Sequence, residues 1–264
     1  MKAYEQHDPP PKKQKAITPQ FLRDLYDCCC PTHDDTVQAH AADLILAAFF
    51  FAMRSCEYSK TPTPGKTTIV TTTDVIFRDK RRRILPHSNP DLAQRARYVT
   101  ITFRDQKNGD RMDTRTQRKN KDPTLCPVLR WASIVQRLRR WFPDQTPGVP
   151  VCAIPDPLDS TSKSCSFITQ DFMKNLLRDT CRTLGGFATY GFHPDELGNK
   201  SVRSGAAMSL FIADPNPTKI MILGRWKSDA FLEYIRPQVL EWTHSLSTEM
   251  IICESFMHLS HLPH

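Results

Sequence analysis

The chain has 264 residues, of which 39% are hydrophobic and 24% are charged, a composition that suits one large globular domain or two small ones. It has no apolar run near the roughly 20 residues that a membrane span requires, and its polar N-terminus excludes a secretory signal. Lys and Arg number 36 against 28 acidic residues, for a net charge of +8. A polyanionic partner and a solvated basic surface both account for this charge.

The nine cysteines are odd in number and show neither a C-x-x-C pair nor Cys/His spacing typical of zinc sites. This usage predicts reduced thiols in an intracellular protein, which is nuclear if the host is a eukaryote. We therefore expect neither disulfides nor a bound metal.

The N-terminal part predicts a disordered leader over 1–16, which is polar and contains three consecutive prolines, and a single domain over 17–264. Thr18 suits a helix N-cap and Pro19 a first helical position, ahead of a short helix over 21–26.

A long apolar helix is predicted over 35–57, with Asp35 as its cap. The pattern then changes to β-branched runs, and Asn108-Gly109 is typical of a tight hairpin turn. The predicted strands are 69–77, 98–103 and 111–117.

The rest of the chain has helical periodicity, except for a polar surface loop predicted over 142–163. The predicted helices are 128–142, 169–184, 201–211, 217–224, 229–235 and 237–256. This order predicts an α+β fold: a mainly helical single domain with a small antiparallel β-sheet inserted after the first long helix.

Three blocks contain candidate functional residues. Arg54 lies at the end of the apolar helix in FFFAMRSCEYSK, where a charged group is either paired, as with Glu57 one turn later, or used in a site. Arg203 lies in NKSVRSGAAM, where small residues permit close approach and Ser201 is a candidate cap; an ordinary helix start is the alternative. Tyr234 lies near the end of GRWKSDAFLEYIR, where a core tyrosine is the alternative.

Together, the three blocks resemble the catalytic domain of the tyrosine recombinases, the phage-integrase family, and look most like the branch found in Crypton and DIRS-type transposons. Tyr234 follows Trp226 by eight residues and Arg203 by 31, as in that family. A softer match is ITFRDQKNGDR, where the family carries a lysine on a β-hairpin. The resemblance covers approximately residues 16–257.

The resemblance implies a site in which Arg54 and Arg203 clamp a phosphodiester of double-stranded DNA while Trp226 supports it and donates its indole N–H. Tyr234 is then the nucleophile, which forms a 3′-phosphotyrosine and releases a 5′-hydroxyl. A second strand's hydroxyl reverses the step, so neither a metal nor a small-molecule cofactor is required.

Two lysines complete the implied site. Lys107 is expected to protonate the leaving 5′ oxygen from the hairpin tip; Lys119 and Lys121 compete for this role, and a simple phosphate contact is the alternative. Lys200 stands where the family most often has histidine. We expect it to hydrogen-bond a phosphate oxygen, since lysine is a worse general base.

The implied function is site-specific DNA recombination or mobile-element integration by a homotetramer on DNA, without a membrane partner. The alternatives are a type IB topoisomerase and a decayed transposon remnant that binds DNA without turnover. Complete members of the family also carry an N-terminal DNA-gripping domain, which we expect to be absent here. Weak, salt-sensitive binding is expected for that reason.

Overall fold

A computed structural model describes most of the chain, and its helices and strands confirm the predicted α+β class. The described ranges are 14–30, 35–63, 65–106, 109–144, 148–156, 164–214, 216–228 and 231–232. The α-helices are α1 Pro19–Cys29, α2 Val37–Phe50, α3 Ser55–Tyr58, α4 Leu92–Arg95, α5 Pro127–Trp141, α6 Gln170–Thr183, α7 Phe187–Tyr190, α8 Ser201–Ala213 and α9 Pro217–Gly224. The strands are β1 Val75–Arg78, β2 Ile84–Leu85, β3 Tyr98–Asp105, β4 Arg111–Arg118, β5 Ala153–Pro155 and β6 Cys165–Phe167. Within these ranges no helix has the length and apolarity to cross a bilayer.

Helix α2 forms the centre of the core and packs against α1, α5 and α8. It is buried from Ala39 to Phe49, as expected for a helix that is apolar on all sides. The predicted cap was wrong: the hydroxyl of Thr36 accepts a hydrogen bond from the Ala39 N–H at 3.1 Å. The Asp35 carboxylate instead accepts a hydrogen bond from Arg140 Nε at 2.6 Å.

The predicted end of this helix was also wrong, because the chain leaves α2 at Phe50. The N–H of Ala52 donates to Phe49 O at 3.1 Å, and that of Met53 donates to Ala48 O at 3.0 Å. This pair of bonds is a Schellman turn, which needs a left-handed residue, and Ala52 takes that conformation with φ +43°. The turn redirects the chain before α3.

The main sheet is antiparallel with strand order β2-β1-β3-β4. The predicted hairpin is confirmed: Asp105 of β3 lies opposite Arg111 of β4, and Gly109 has φ +84°. The predicted strand over 69–77 was too long. Thr72–Asp74 is a 3-10 turn, since the Thr71 N–H donates to the Asp74 carboxylate at 2.9 Å.

A buried ion cluster joins α2 to α5. The Asp43 carboxylate accepts hydrogen bonds from Arg130 and Arg137, each at 2.9 Å. Burial raises the pKa of Asp43, and the two guanidinium charges oppose this. Much of the basic character of α5 is therefore neutralised inside the protein.

The predicted loop over 142–163 contains structure that the polar composition did not indicate. Strand β5 begins within it and pairs with β6, and Val149 and Cys152 are buried. The segment packs against α5, and burial of its apolar residues outweighs the local turn signals there. Residues 157–163 lie outside the described ranges.

The helical pattern of the C-terminal half is confirmed for α6, α8 and α9. Helix α8 crosses the N-terminal segment so closely that a Cβ on Gly205 would lie 2.3 Å from Ile17 O. Lys15 N–H donates to Glu196 O at 2.9 Å in the same region. The predicted helices over 229–235 and 237–256 and most of the predicted leader over 1–16 lie outside the described ranges, apart from 14–16 and 231–232.

Candidate active site

Arg54 lies directly after the Schellman turn and begins α3 instead of ending α2 as predicted. Its backbone N–H donates to Glu57 Oε2 at 2.8 Å, and its Nη1 donates to Glu57 Oε1 at 3.1 Å and to Gln106 Oε1 at 3.2 Å. The side chain remains 20% exposed. Among the described residues, its Nε and Nη2 groups have no hydrogen-bond acceptor.

Arg203 extends from α8 into the same turn and is almost fully buried. Its Nη1 donates to the carbonyl of Ala52, and its Nη2 donates to Gly224 O at 2.5 Å. The carbonyl of Ala52 is two residues before Arg54. Arg203 thus contacts the backbone next to Arg54, although the two arginines are 149 positions apart in sequence.

The indole ring of Trp226 stacks on the guanidinium of Arg203. The guanidinium carbon of Arg203 lies 4.2 Å from the centroid of the indole, a distance suited to a cation–π contact. The indole also packs on Gly224, where an added Cβ would lie 1.6 Å from the ring. The indole of Trp226 therefore packs between Gly224 and the buried guanidinium of Arg203.

Glu57 connects this arrangement to a residue that sequence reasoning missed. Its carboxylate accepts a hydrogen bond from Arg225 Nη2 at 2.8 Å, and both side chains are at most 1% exposed. The Arg225 guanidinium stacks on Phe103 of β3, 3.4 Å from the ring centroid. Burial lowers the pKa of Arg225, and the Glu57 charge opposes this. The Glu57 carboxylate therefore pairs with Arg54 and with Arg225 at the same time.

Sequence reasoning also missed Gln106, which bridges Arg54 and the hairpin. Its Nε2 donates to Asp113 Oδ2 at 3.3 Å while its Oε1 accepts from Arg54. The available signal for Arg225 was its position between the helix-ending Gly224 and Trp226. No local signal identified Gln106, because its partners are distant in sequence.

Contacts also tie the hairpin to the segment around Trp226. Arg115 Nε donates to Ile222 O at 2.7 Å, and Lys227 pairs with Asp110 at 2.7 Å. These contacts line an open cleft between β4 and α9 that also includes Trp226. The turn end of the hairpin is thereby fixed beside the two arginines.

Lys200 lies at the start of α8 with its side chain exposed. Among the described residues its ammonium makes no ion pair or hydrogen bond. Ser201 does not cap α8 as predicted, because Lys200 occupies the cap position and the Ser201 hydroxyl accepts from the Gly198 N–H at 3.0 Å.

Lys107 and Tyr234 lie outside the described residues. Lys119, one competitor of Lys107, donates to Ala93 O at 2.6 Å, and burial lowers its pKa. Lys119 and Lys121 follow the C-terminal end of β4, which is the end of the hairpin opposite Gln106.

Fixed positive charge dominates the site. Among the described residues no group of three or more His, Cys, Asp or Glu side chains is placed to hold a metal ion. The geometry instead offers the partly exposed guanidinium of Arg54 close to the buried charge of Arg203 and to the hairpin, an arrangement suited to binding a phosphate group.

Comparison with known proteins gives similarity at the level of structure alone. No family model matches the sequence. No curated protein matches it either. Among solved structures, a chain of the Tn1549 transposon integrase in complex with transposon right end DNA is similar, with 14% identity and a TM-score of 0.44; the match covers 91% of this chain and 68% of that one. The same integrase in complex with circular intermediate DNA is 15% identical, with a TM-score of 0.40 and coverage of 87% and 62%.

Proposed function

We propose that this protein cleaves and rejoins DNA strands through a covalent phosphotyrosine intermediate, as a member of the tyrosine recombinases. The observation that carries the proposal is the convergence of Arg54, Arg203 and Trp226 on the turn after α2. These residues come from the three blocks on which the family resemblance rests. An ordinary helical core has no need to gather two guanidinium groups and an indole at one backbone turn.

The proposed chemistry follows from the charge of a phosphodiester. Attack on phosphorus increases the negative charge on the nonbridging oxygens, and fixed cations that meet this charge lower the barrier. Arg54 supplies the accessible donors, since its side chain is partly exposed and its Nε and Nη2 have no acceptor among the described residues. Arg203, buried on Trp226, supplies a charge whose position is fixed by two carbonyls.

In the proposed reaction Tyr234 releases its phenolic proton to solvent, its oxygen bonds to phosphorus, and the bond from phosphorus to the 5′ oxygen breaks. Lys107 gives a proton to that leaving oxygen, which yields a 3′-phosphotyrosine and a 5′-hydroxyl. Attack by the 5′-hydroxyl of another strand reverses these changes and restores the phosphodiester. Lys200 donates a hydrogen bond to a phosphate oxygen. The hydrogen bond between Gln106 and Arg54 supports the proposed role of the next residue, Lys107, as the proton donor.

The proposal includes a recombination or integration reaction on double-stranded DNA by a homotetramer. Exchange of strands between two duplexes requires two cleavages in each, so four copies of the site must act together. A type IB topoisomerase cleaves one strand and lets the DNA rotate about the other strand. That reaction needs only one copy of the active site. Relaxation of a supercoiled plasmid without recombinant products would therefore identify the topoisomerase alternative.

The covalent intermediate is the direct test. The substrate is a pool of nicked duplexes whose core sequence is randomised. Cleavage next to the nick releases a short fragment that carries the 5′-hydroxyl, and once this fragment dissociates the adduct cannot be reversed. We expect the wild-type protein to form a protein–DNA adduct that survives denaturation, and Tyr234→Phe to form none. An adduct that persists in Tyr234→Phe, or no wild-type adduct across the pool, contradicts the proposal.

A further inference from the structure

The start of α8 lacks the residue that commonly completes a helix cap. In a capping box, the side chain at the third helical position accepts a hydrogen bond from the backbone N–H of the cap residue. The cap residue of α8 is Lys200, and its third helical position is Arg203. A guanidinium group has no acceptor atom, so Arg203 cannot accept this bond. The arginine of the candidate site therefore stands where a helix would otherwise carry its own acceptor.

The N–H of Lys200 finds its acceptor in a distant part of the chain. The Lys200 ammonium has donors only, and the Ser201 hydroxyl already accepts from the Gly198 N–H at 3.0 Å. The Lys200 N–H instead donates to Oε1 of Gln14 at 2.8 Å, across 186 positions of sequence. Gln14 thus takes the part of the capping-box acceptor from outside the helix.

The capping side chain belongs to a segment, residues 14–17, that is called here the N-terminal strap. The N–H of Lys15 donates to Glu196 O at 2.9 Å, in the loop before α8. The N–H of Ile17 donates to Ser201 O at 3.3 Å, and the Ile17 side chain is buried. Backbone bonds and burial therefore hold the strap against the start of α8.

Two glycines permit the close approach of the strap. A Cβ at Gly198 would lie 2.5 Å from the amide carbon of Gln14, and a Cβ at Gly205 would lie 2.3 Å from Ile17 O. Any larger residue at these two positions would displace the strap or the helix. The strap and α8 are therefore fitted to each other at both ends of the contact.

We propose that the N-terminal strap is a positioning element of the proposed active site, in which Gln14 is a positioning residue that acts through Lys200. By accepting the Lys200 N–H, the Gln14 side chain fixes the backbone of the residue whose ammonium is proposed to hydrogen-bond a phosphate oxygen. This role in the reaction rests on the proposed function. The capping of α8 by Gln14 does not depend on that function.

Hydrogen exchange of the Lys200 backbone N–H tests the cap in the full chain, after thermal unfolding has established that each variant folds. We expect this N–H to exchange about tenfold faster in Gln14→Ala than in wild type, because it then bonds to water. Gln14→Glu keeps an acceptor on a side chain of the same length and is expected to retain the protection. Gln20→Ala is the matched control, because the Gln20 side chain is exposed and donates to Asp24 within α1.

Single-turnover adduct formation on the pool of nicked duplexes tests the role in the reaction. We expect Gln14→Ala to lower the rate constant at saturating DNA by about tenfold, and Gln20→Ala to match wild type. The same Gln14 substitution is then made in a Lys200→Ala background, where we expect it to change the rate by less than about twofold. Because the adduct accumulates irreversibly, slow variants remain measurable over long incubations.

The two measurements separate this proposal from the catalytic one. Equal exchange of the Lys200 N–H in wild type and Gln14→Ala would overturn the present proposal, even if the wild-type protein forms the adduct. A tenfold loss of rate that persists in the Lys200→Ala background would also overturn it, since Gln14 would then not act through Lys200. Faster exchange in Gln14→Ala without any wild-type adduct supports the cap and contradicts the proposed function.

Discussion

The carboxylate of Glu57 pairs with Arg225 inside the protein, and the same carboxylate receives the backbone and side-chain donors of Arg54. The segment before Trp226 is thereby joined to the start of α3. Because the pair is shielded from water, loss of either member leaves the charge of the other buried without this partner. The position of Arg54 relative to the segment that contains Arg225 and Trp226 therefore depends on one buried ion pair.

Removal of the Arg225 charge tests this dependence. We expect Arg225→Met to lower the free energy of unfolding by about 3 kcal/mol, since it leaves Glu57 with the partly exposed Arg54 alone. Urea denaturation measures the change. Arg182→Met is the matched control, because its ion pair with Asp179 is exposed and is expected to contribute below about 1 kcal/mol. Similar losses in both variants would show that the burial of the pair has no energetic consequence.

The fork geometry of Arg54 gives a second prediction. Arg54→Lys keeps a positive charge but loses the paired donors that match phosphate oxygens, so we expect the rate of adduct formation on the nicked duplex to fall by about 100-fold. The free energy of unfolding is expected to change by less than about 1 kcal/mol, because the side chain is partly exposed. Arg182→Lys serves as the control at an exposed position of α6. An unchanged rate in Arg54→Lys would remove Arg54 from the proposed site.

Close contact between α8 and the N-terminal segment gives a third prediction. A Cβ at Gly205 would lie 2.3 Å from the backbone oxygen of Ile17, which cannot move as a flexible side chain can. We expect Gly205→Ala to lower the free energy of unfolding by about 2 kcal/mol or more, despite the higher helix propensity of alanine. Gly65→Ala is the control, since a Cβ added there would meet no atom within 4 Å. Stabilisation of the Gly205 variant would show that the two backbones are not in contact.

Burial of His40 predicts a dependence of stability on pH. Burial lowers the pKa of this imidazole to about 3, with the nearby Arg137 charge acting in the same direction. The neutral form is therefore favoured in the folded state, and stability is fully present above the unfolded pKa of about 6.5. As pH falls below that value the unfolded state takes up a proton first, so stability is lost.

Between pH 7 and pH 5 this histidine is expected to account for a loss of about 2 kcal/mol, read from urea denaturation at each pH. His40→Gln retains a donor for Val151 O, which accepts from His40 at 2.8 Å in the tautomer with a proton on Nε2, and should flatten this part of the pH profile. Asp43 and Arg137 remain in the variant, so the difference between the two profiles isolates the imidazole. Parallel profiles would contradict the assignment.

Local chemistry in the sequence determined many elements of this fold. Thr18 and Thr169 cap α1 and α6 with their hydroxyls, and Gly109 lies in the turn that joins β3 to β4. Each of these signals acts over three or four residues, because caps and turns satisfy backbone groups near them in the chain. The α+β class and the bounds of α6 and α9 were predictable for that reason.

Tertiary structure alone decided where charged side chains find their partners. Nothing in the local sequence of α5 marks its basic residues as internal, yet Arg137 is buried on Asp43, 94 positions earlier. Arg225 showed no role until the fold set it against Glu57 and Phe103. Electrostatic pairing and stacking act through space between distant segments, whereas periodicity and capping act along the chain. The sequence by itself thus determined the candidate arginines and most helices, and only packing decided which charges face inward and which remain available to a partner.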